Sequence, residues 1–169
     1  MSVYTSAMLK DVPLYLADEA ATIKFGVLLA HVISGAGGVI TLKGDLGAGK
    51  TCLVRSLIQA MGHAGRVVSP TYTLMEPYAI GGRQVFHLDL YRLSDAEELA
   101  YLGVRDINPQ HDLILVEWPE NGAHMLPLAD LALAIRDASS GGREISAQMG
   151  TQCGTNWWLE AVAAFKAGL

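Results

Sequence analysis

Residues 44–51 have the residue types and the spacing needed to bind a chain of phosphates. They read Gly-Asp-Leu-Gly-Ala-Gly-Lys-Thr and match the pattern G-x-x-x-x-G-K-S/T. Glycines allow such a loop to fold closely around phosphates, with its backbone N–H groups pointing inward. A helix that starts near Lys50 would add further free N–H groups and the positive end of its dipole. The pattern therefore predicts a nucleotide-binding loop.

Two side chains of this loop have distinct expected roles. Lys50 is expected to reach the β- and γ-phosphates, and the Thr51 hydroxyl to coordinate Mg²⁺. An accidental match is the alternative, but at about 7% glycine a random chain of this length matches well under ~1% of the time. The residues expected to contact the nucleotide are Asp45, Leu46, Gly47, Ala48, Gly49, Lys50, Thr51 and Cys52.

A site of this kind also needs a carboxylate near Mg²⁺, at the end of a neighbouring strand. Residues 113–116 form an uninterrupted apolar run that ends in Glu117, and residues 85–88 end in Asp89. A continuous apolar run is expected of a strand buried on both faces. Glu117 is therefore assigned to the metal, through water, and Asp89 to the γ-phosphate side. The alternative for each is an ordinary exposed acid at the end of a strand.

The sequence also indicates which nucleotide base is bound. Guanine-specific proteins with this loop usually carry a late N-K-x-D motif, and none of Asn108, Asn121 and Asn156 is followed by lysine. Adenine is therefore the expected base, and ATP and Mg²⁺ are the expected ligands.

The elements that must position these residues alternate between strand and helix, which favours an α/β fold. A strand over residues 38–43 precedes the loop, and a helix over residues 50–61 follows it. Gly81-Gly82 predicts a hairpin, so the sheet should be mixed, because a hairpin cannot join parallel strands. The other predicted features are a strand at 12–16, an Asp18 N-cap and a helix in which Ile23, Val27 and Ala30 recur at helical spacing, strands at 74–80 and 83–89, a capping box at 94–97, strands at 113–116, 128–136 and 143–149, and a helix at 157–166 anchored by Trp157 and Trp158.

The length of 169 residues indicates one domain over residues 1–169, with a core at about 9–150 and a final helix at about 155–167. The net charge is −5, with 12 basic and 17 acidic residues and no basic cluster, so direct, tight binding of nucleic acid is not expected. Cys52 and Cys153 do not form a disulfide framework. Since no secretory signal and no run of ~18 apolar residues is present, a cytoplasmic location is expected.

With these residues in place, the chain resembles the TsaE (YjeE) family, a small bacterial ATPase needed to make threonylcarbamoyladenosine in tRNA. The resemblance covers roughly residues 14–148 and implies a single-domain P-loop NTPase fold, with a mixed β-sheet flanked by helices. Beyond the loop, the matching segments are Ser-Pro-Thr-Tyr-Thr-Leu at 69–74, His-Leu-Asp-Leu-Tyr-Arg-Leu at 87–93, Glu-Glu-Leu at 97–99 and Leu-Val-Glu-Trp-Pro at 115–119.

The resemblance implies roles for several residues. Residues 69–71 correspond to a first switch, with Thr71 near the γ-phosphate and Mg²⁺, and residues 87–93 to a second, with Asp89 acting in hydrolysis. Glu117 corresponds to the Mg²⁺-associated acid. The implied catalytic residues are Lys50, Thr71, Asp89 and Glu117, and the implied metal residues are Thr51 and Glu117. Glu19 and Arg143 are expected to flank the nucleotide. Trp118 is expected either to lie at the edge of the site or to pack in the core.

Cys52 departs from the family pattern, in which threonine is more common after Lys-Thr. A thiol at a helix N-terminus is expected to have a lowered pKa and to react readily; a small buried residue is the alternative. His87 is expected to be a core histidine and not a metal ligand. Tyr72, Tyr78, Tyr91 and Arg92 suggest a face for docking a partner.

The predicted function is ATP hydrolysis coupled to association with partners, slow in the protein alone because the sequence places no arginine finger. By resemblance the partners are TsaB and TsaD, with tRNA contacted only through that assembly. One alternative is a nucleotide-binding regulator that hardly hydrolyses ATP. The other is a small-molecule kinase, although the chain shows no evident lid insertion.

Overall fold

A seven-stranded mixed sheet forms the centre of the fold. The computed structural model describes residues 13–169, so the predictions that concern residues 1–12 lie outside the described part. The strands are β1 (Leu14–Leu16), β2 (Gly38–Lys43), β3 (Met75–Ile80), β4 (Arg83–Asp89), β5 (Leu113–Glu117), β6 (Leu131–Asp137) and β7 (Arg143–Met149). Their order across the sheet is β1-β7-β6-β2-β5-β4-β3.

The four central strands are parallel and the outer pairs are antiparallel, which confirms the predicted mixed sheet. β2 pairs with both β5 and β6, and β4 pairs with β5, all in parallel. The predicted hairpin joins β3 to β4, and Gly81 and Gly82 both have positive φ, 59° and 83°. Because the central strands are parallel, their carboxyl ends lie at one edge of the sheet.

The two faces of the sheet are covered by helices of different length: α1 (Glu19–Ile33), α2 (Lys50–Ala60), α3 (Glu98–Tyr101), α4 (Pro119–Gly122) and α5 (Gln152–Lys166). The long helices α1, α2 and α5 contribute to the larger hydrophobic cluster, and shorter elements cover the other face. Trp158 is buried and contacts Phe25 edge to face at 5.8 Å, and Trp157 is also buried, which confirms their anchoring of α5. Each helix within residues 13–169 is too short or too polar to cross a membrane.

The predicted helix after Asp18 is confirmed, but only part of its apolar spacing marks the buried face of α1. Ala30 is buried, but Ile23 is 42% exposed and Val27 only half-buried, whereas Phe25 and Leu29 are fully buried. The cause lies in the packing of α1 against α2. A Cβ on Gly26 would stand 2.0 Å from Ser56 Oγ, so the two helices approach closely at this glycine and the strip of α1 that contains it turns inward.

Two predicted helix starts are also corrected. The capping box lies one residue later, because Asp95 N–H donates to Glu98 Oε1 and Glu97 N–H donates to Asp95 Oδ1, each at 3.0 Å. The last helix begins at Gln152 and not at Trp157. Its N-cap is Thr151, which accepts from Gly154 N–H at 3.2 Å and donates to Asp130 Oδ1 at 2.7 Å.

Two strands start later than predicted. β3 starts at Met75 because Leu74 has a φ of 63°, which is incompatible with a strand. β6 starts at Leu131, three residues beyond Leu128, which is 94% exposed. The Asp130 side chain accepts from Val39 N–H at 2.9 Å and so fixes the point where the chain enters the sheet.

Candidate nucleotide-binding site

The glycine-rich loop joins the carboxyl end of β2 to the start of α2, as predicted. Gly47 and Gly49 have φ values of 81° and 104°, a region that side chains other than glycine rarely adopt. Gly44 also has a positive φ, 148°, and in addition a Cβ there would stand 2.3 Å from the carbonyl oxygen of Ile135 on β6. The loop therefore depends on glycine both for its shape and for its contact with the sheet.

Lys50 is buried beneath its own loop, with 4% of its surface exposed. Its Nζ donates to the carbonyl oxygens of Gly44 at 2.7 Å and Asp45 at 2.8 Å. It also lies 4.0 Å from the centroid of the Trp118 ring. Burial lowers the pKa of Lys50, while the charges of Glu117 and Asp89 act in the opposite direction. The two carboxylates thus favour the ammonium form that phosphate binding needs.

Glu117 and Asp89 stand side by side at the carboxyl ends of β5 and β4, where the strand register pairs them directly. They are 2% and 4% exposed, so the alternative of ordinary surface charges is wrong. Glu117 Oε2 accepts from the Thr51 hydroxyl at 2.9 Å, and its Oε1 lies 2.8 Å from Nε2 of His87. The two residues predicted at the metal, Thr51 and Glu117, are therefore in contact.

The predicted first switch is attached to Asp89. Its Oδ2 accepts from the hydroxyls of Ser69 at 2.8 Å and Thr71 at 2.7 Å, and its Oδ1 accepts from Tyr91 N–H at 3.1 Å. The backbone reinforces this contact, because Asp89 N–H donates to the carbonyl of Leu74 at 3.1 Å. A single carboxylate thus connects both predicted switch segments.

Arg143 binds the backbone of the glycine-rich loop. Its Nε donates to Ala48 O at 3.1 Å and its Nη2 to Gly47 O at 3.4 Å, while Nη1 pairs with Asp137 Oδ1 at 2.9 Å. The guanidinium therefore contacts the loop through two backbone carbonyls. This contact joins the β6–β7 hairpin to the phosphate-binding loop.

Cys52 is half-buried in the first turn of α2. Its pKa is raised, first by burial and then by the negative charge of Glu19, with Arg55 acting weakly in the other direction. The expectation of a lowered pKa is therefore wrong, because burial and the charge of Glu19 both favour the neutral thiol. Glu19 is exposed at the start of α1 and adds a further negative charge near the loop, beyond those of Asp89 and Glu117.

These residues surround one cavity of about 800 Å³. Every predicted site residue lines it except Asp45, whose carbonyl instead accepts from Lys50. Trp118 lies at its edge with a φ of 57°, and its ring also packs against the smaller hydrophobic cluster, so both readings of this residue hold. The lining residues that the sequence pattern did not single out are Ala17, Thr22 and Gly142, whose segments meet the loop only through the fold.

A strand, a glycine-rich loop and a helix, with a buried lysine and a carboxylate on the adjacent strand, define a P-loop NTPase-type protein. The family model for threonylcarbamoyl adenosine biosynthesis protein TsaE matches residues 16–145. The chain belongs to this TsaE family, which takes part in the biosynthesis of threonylcarbamoyladenosine in tRNA.

Individual relatives and a solved structure agree with this family assignment. The tRNA threonylcarbamoyladenosine biosynthesis protein TsaE of Haemophilus influenzae is 42% identical over 146 residues, 84% of this chain and 92% of that protein. The protein of the same name from Treponema pallidum is 32% identical over 74% of this chain and 91% of its own length. A crystal structure of Bacillus subtilis YdiB superposes with a TM-score of 0.69 at 26% identity and covers 93% of this chain and 95% of that one.

Proposed function

We propose that this chain binds ATP with Mg²⁺ and hydrolyses it, slowly when alone, in the threonylcarbamoyladenosine modification of tRNA. The observation that carries the proposal is the convergence of Lys50, Thr51, Asp89 and Glu117 in one cavity. Three of these side chains are almost fully buried, which is unusual for charged groups without a ligand-related role.

The donor set fits Mg²⁺, which prefers hard oxygen ligands such as hydroxyls and carboxylates. The Thr51 hydroxyl supplies one such ligand and the Glu117 carboxylate holds the ion through water, and the two side chains already contact each other. Bound there, the ion would neutralise charge on the phosphates. Lys50 neutralises further negative charge, and the loop N–H groups orient the phosphate chain. Glu19 and Arg143 flank the bound nucleotide.

Asp89 and Thr71 have the catalytic role in the proposal. The Asp89 carboxylate orients the attacking water or senses the γ-phosphate, and Thr71, hydrogen-bonded to Asp89 at 2.7 Å, transmits that state to the first switch. Loss of the γ-phosphate then releases the first switch at residues 69–71. The sequence places no arginine finger on the γ-phosphate, so turnover by the isolated chain is slow.

The partners in the proposal are the TsaB and TsaD proteins, with tRNA contacted through their complex in the cytoplasm. Exposed side chains beside the site support a docking face: Tyr72 is 82% exposed, and the Arg92 guanidinium lies 4.6 Å from its ring. Tyr91 borders the same cavity. Tyr78 does not belong to this face, because it is buried with its hydroxyl against the backbone of Val68.

The second candidate is a nucleotide-dependent switch with negligible hydrolysis. It is favoured by Asp89, whose Oδ2 already accepts from both Ser69 and Thr71 and so holds the first switch. Single-turnover hydrolysis with excess protein separates the two. Cleavage of bound ATP within minutes supports the ATPase, and unchanged ATP after hours supports the switch.

The proposal is tested by steady-state ATP hydrolysis with Mg²⁺, alone and with the TsaB–TsaD pair. Lys50→Ala is the blank, and Lys43→Ala, at an exposed lysine that ends β2, is the matched control. We expect low activity that rises with the partners, disappears in Lys50→Ala and persists in Lys43→Ala. Activity that the partners leave unchanged would contradict the partner-dependent function.

A further inference from the structure

His87 is a fully buried histidine on β4, two residues before Asp89. Strand register pairs it with Leu115, and its Nε2 reaches two residues further along β5, to Oε1 of Glu117 at 2.8 Å. Residues two apart on a strand share a face, so this contact runs along the surface of the sheet. Since Glu117 Oε2 accepts from Thr51, the three side chains form one hydrogen-bonded chain.

The second ring nitrogen indicates the direction of the hydrogen bond. Nδ1 of His87 is buried and has no hydrogen-bond partner within residues 13–169. A proton on Nδ1 would be a buried donor without an acceptor, which is costly, whereas an unprotonated ring nitrogen can be left free more cheaply. The hydrogen therefore lies on Nε2, which donates to Glu117.

We propose that His87 is a positioning residue for Glu117. It donates to Oε1 of the carboxylate and thereby directs Oε2 toward the Thr51 hydroxyl, so that Thr51 can bind Mg²⁺ directly and Oε2 can hold it through water. The inference rests on the proposed function, because the metal role of Glu117 belongs to that proposal. Hydrogen bonds that orient a metal-associated side chain typically change metal affinity by about 10–100-fold.

The test separates the hydrogen bond from the packing of the ring. His87→Phe keeps a ring without the donor. His87→Gln can place its amide N–H where Nε2 stands, whereas the shorter His87→Asn reaches only the position of Nδ1. Val85→Ala is the matched control. Val85 is fully buried on the same face of β4, and its side chain cannot form a hydrogen bond with Glu117.

Two affinities are measured for each variant: Mn²⁺ for the ADP-bound protein, by electron paramagnetic resonance, and ADP in excess EDTA. We expect His87→Phe and His87→Asn to weaken Mn²⁺ binding about 10–100-fold, with ADP affinity in EDTA within about twofold of wild type. His87→Gln should retain most of the Mn²⁺ affinity. Val85→Ala should lower the melting temperature and leave Mn²⁺ affinity unchanged.

Other outcomes overturn the inference in recognisable ways. Wild-type Mn²⁺ affinity in His87→Phe, or an equal loss in His87→Gln and His87→Asn, would show that the ring only fills space. An equal loss in Val85→Ala would attribute the effect to general destabilisation. If ADP does not strengthen Mn²⁺ binding to the wild type, the proposed metal site is itself wrong, a result distinct from failure of the role of His87.

Discussion

The polar groups at the two ends of β4 and β5 are bonded in different ways. At the carboxyl ends, Asp89 and Glu117 are bonded mainly to other side chains. At the amino ends, Arg83 donates to the carbonyl of Ala36, and Asp112, just before β5, accepts from Gln84 N–H at 3.0 Å. Bonds to the backbone close turns and hold strands in register. Bonds among side chains can be exchanged for bonds to a ligand without disturbing the sheet.

We expect this difference to separate effects on stability from effects on nucleotide binding and hydrolysis along the same pair of strands. Substitutions at the carboxyl ends are expected to act on nucleotide chemistry, and substitutions at the amino ends on the free energy of unfolding. A substitution at one end that changes only the property assigned to the other end would contradict the comparison.

The largest expected effect is that of Asp89→Asn on hydrolysis. The amide can still accept from Tyr91 N–H, but it loses the charge proposed to orient water, so single-turnover hydrolysis should fall by about 10²–10⁴-fold. ATP affinity should stay within about threefold of wild type, because Lys50 and the loop remain. Hydrolysis at the wild-type rate would remove Asp89 from the mechanism.

Arg83→Leu tests the opposite end of the same strand. It removes a charged donor and leaves the carbonyl of Ala36 without it, so the free energy of unfolding in urea should fall by about 1.5–3 kcal/mol. Nucleotide affinity should not change. A loss of affinity without a loss of stability would mean that the two ends are not independent.

Arg143→Lys sharpens the comparison within the site. Lysine keeps the positive charge but lacks the planar fork that reaches both Ala48 O and Gly47 O. Loss of about one neutral-strength hydrogen bond predicts a decrease in ATP affinity of roughly 2–10-fold, measured by calorimetry. Arg136→Lys, at an exposed arginine of β6, is the matched control and should bind normally.

The smallest effect concerns pH at the amino ends. The bond from Gln84 N–H lowers the pKa of Asp112, with further contributions from His111 and Arg83. A carboxyl whose pKa is lowered in the folded state stabilises it above its unfolded pKa, near 3.9, and loses that contribution as pH falls through the folded pKa. Urea unfolding should therefore show a loss of about 1 kcal/mol or less for Asp112→Asn at pH 6, and a smaller difference from wild type at pH 3. A constant difference across that range would contradict this account.

Local sequence patterns were sufficient to predict the structure of segments whose conformation depends only on their own residues. The loop at 44–51, the Gly81-Gly82 turn and the buried strand ending in Glu117 all follow from glycine spacing or continuous apolar runs. The Asp18 N-cap is confirmed for the same reason, since its side chain accepts from Ala21 N–H three residues later.

Features decided by contacts distant in sequence were not predictable. The inward strip of α1 depends on Gly26 meeting Ser56, and the start of α5 on Thr151 meeting Asp130. The raised pKa of Cys52 likewise depends on burial and on Glu19, which lies 33 positions away in the chain. The residue pattern within one segment cannot predict such a contact, because the contact depends on a second residue that is distant in the sequence.

The central claim is that the buried groups at the carboxyl edge form a Mg²⁺-dependent ATP site. It is tested most directly by calorimetric titration of ATP into the wild type, Lys50→Ala and Lys43→Ala, each with Mg²⁺ and with EDTA. The account predicts binding by the wild type and Lys43→Ala that Mg²⁺ strengthens. In Lys50→Ala, loss of the charged hydrogen bonds should weaken binding by about 10–100-fold. Equal affinity in all three proteins, or no difference between Mg²⁺ and EDTA, would contradict it.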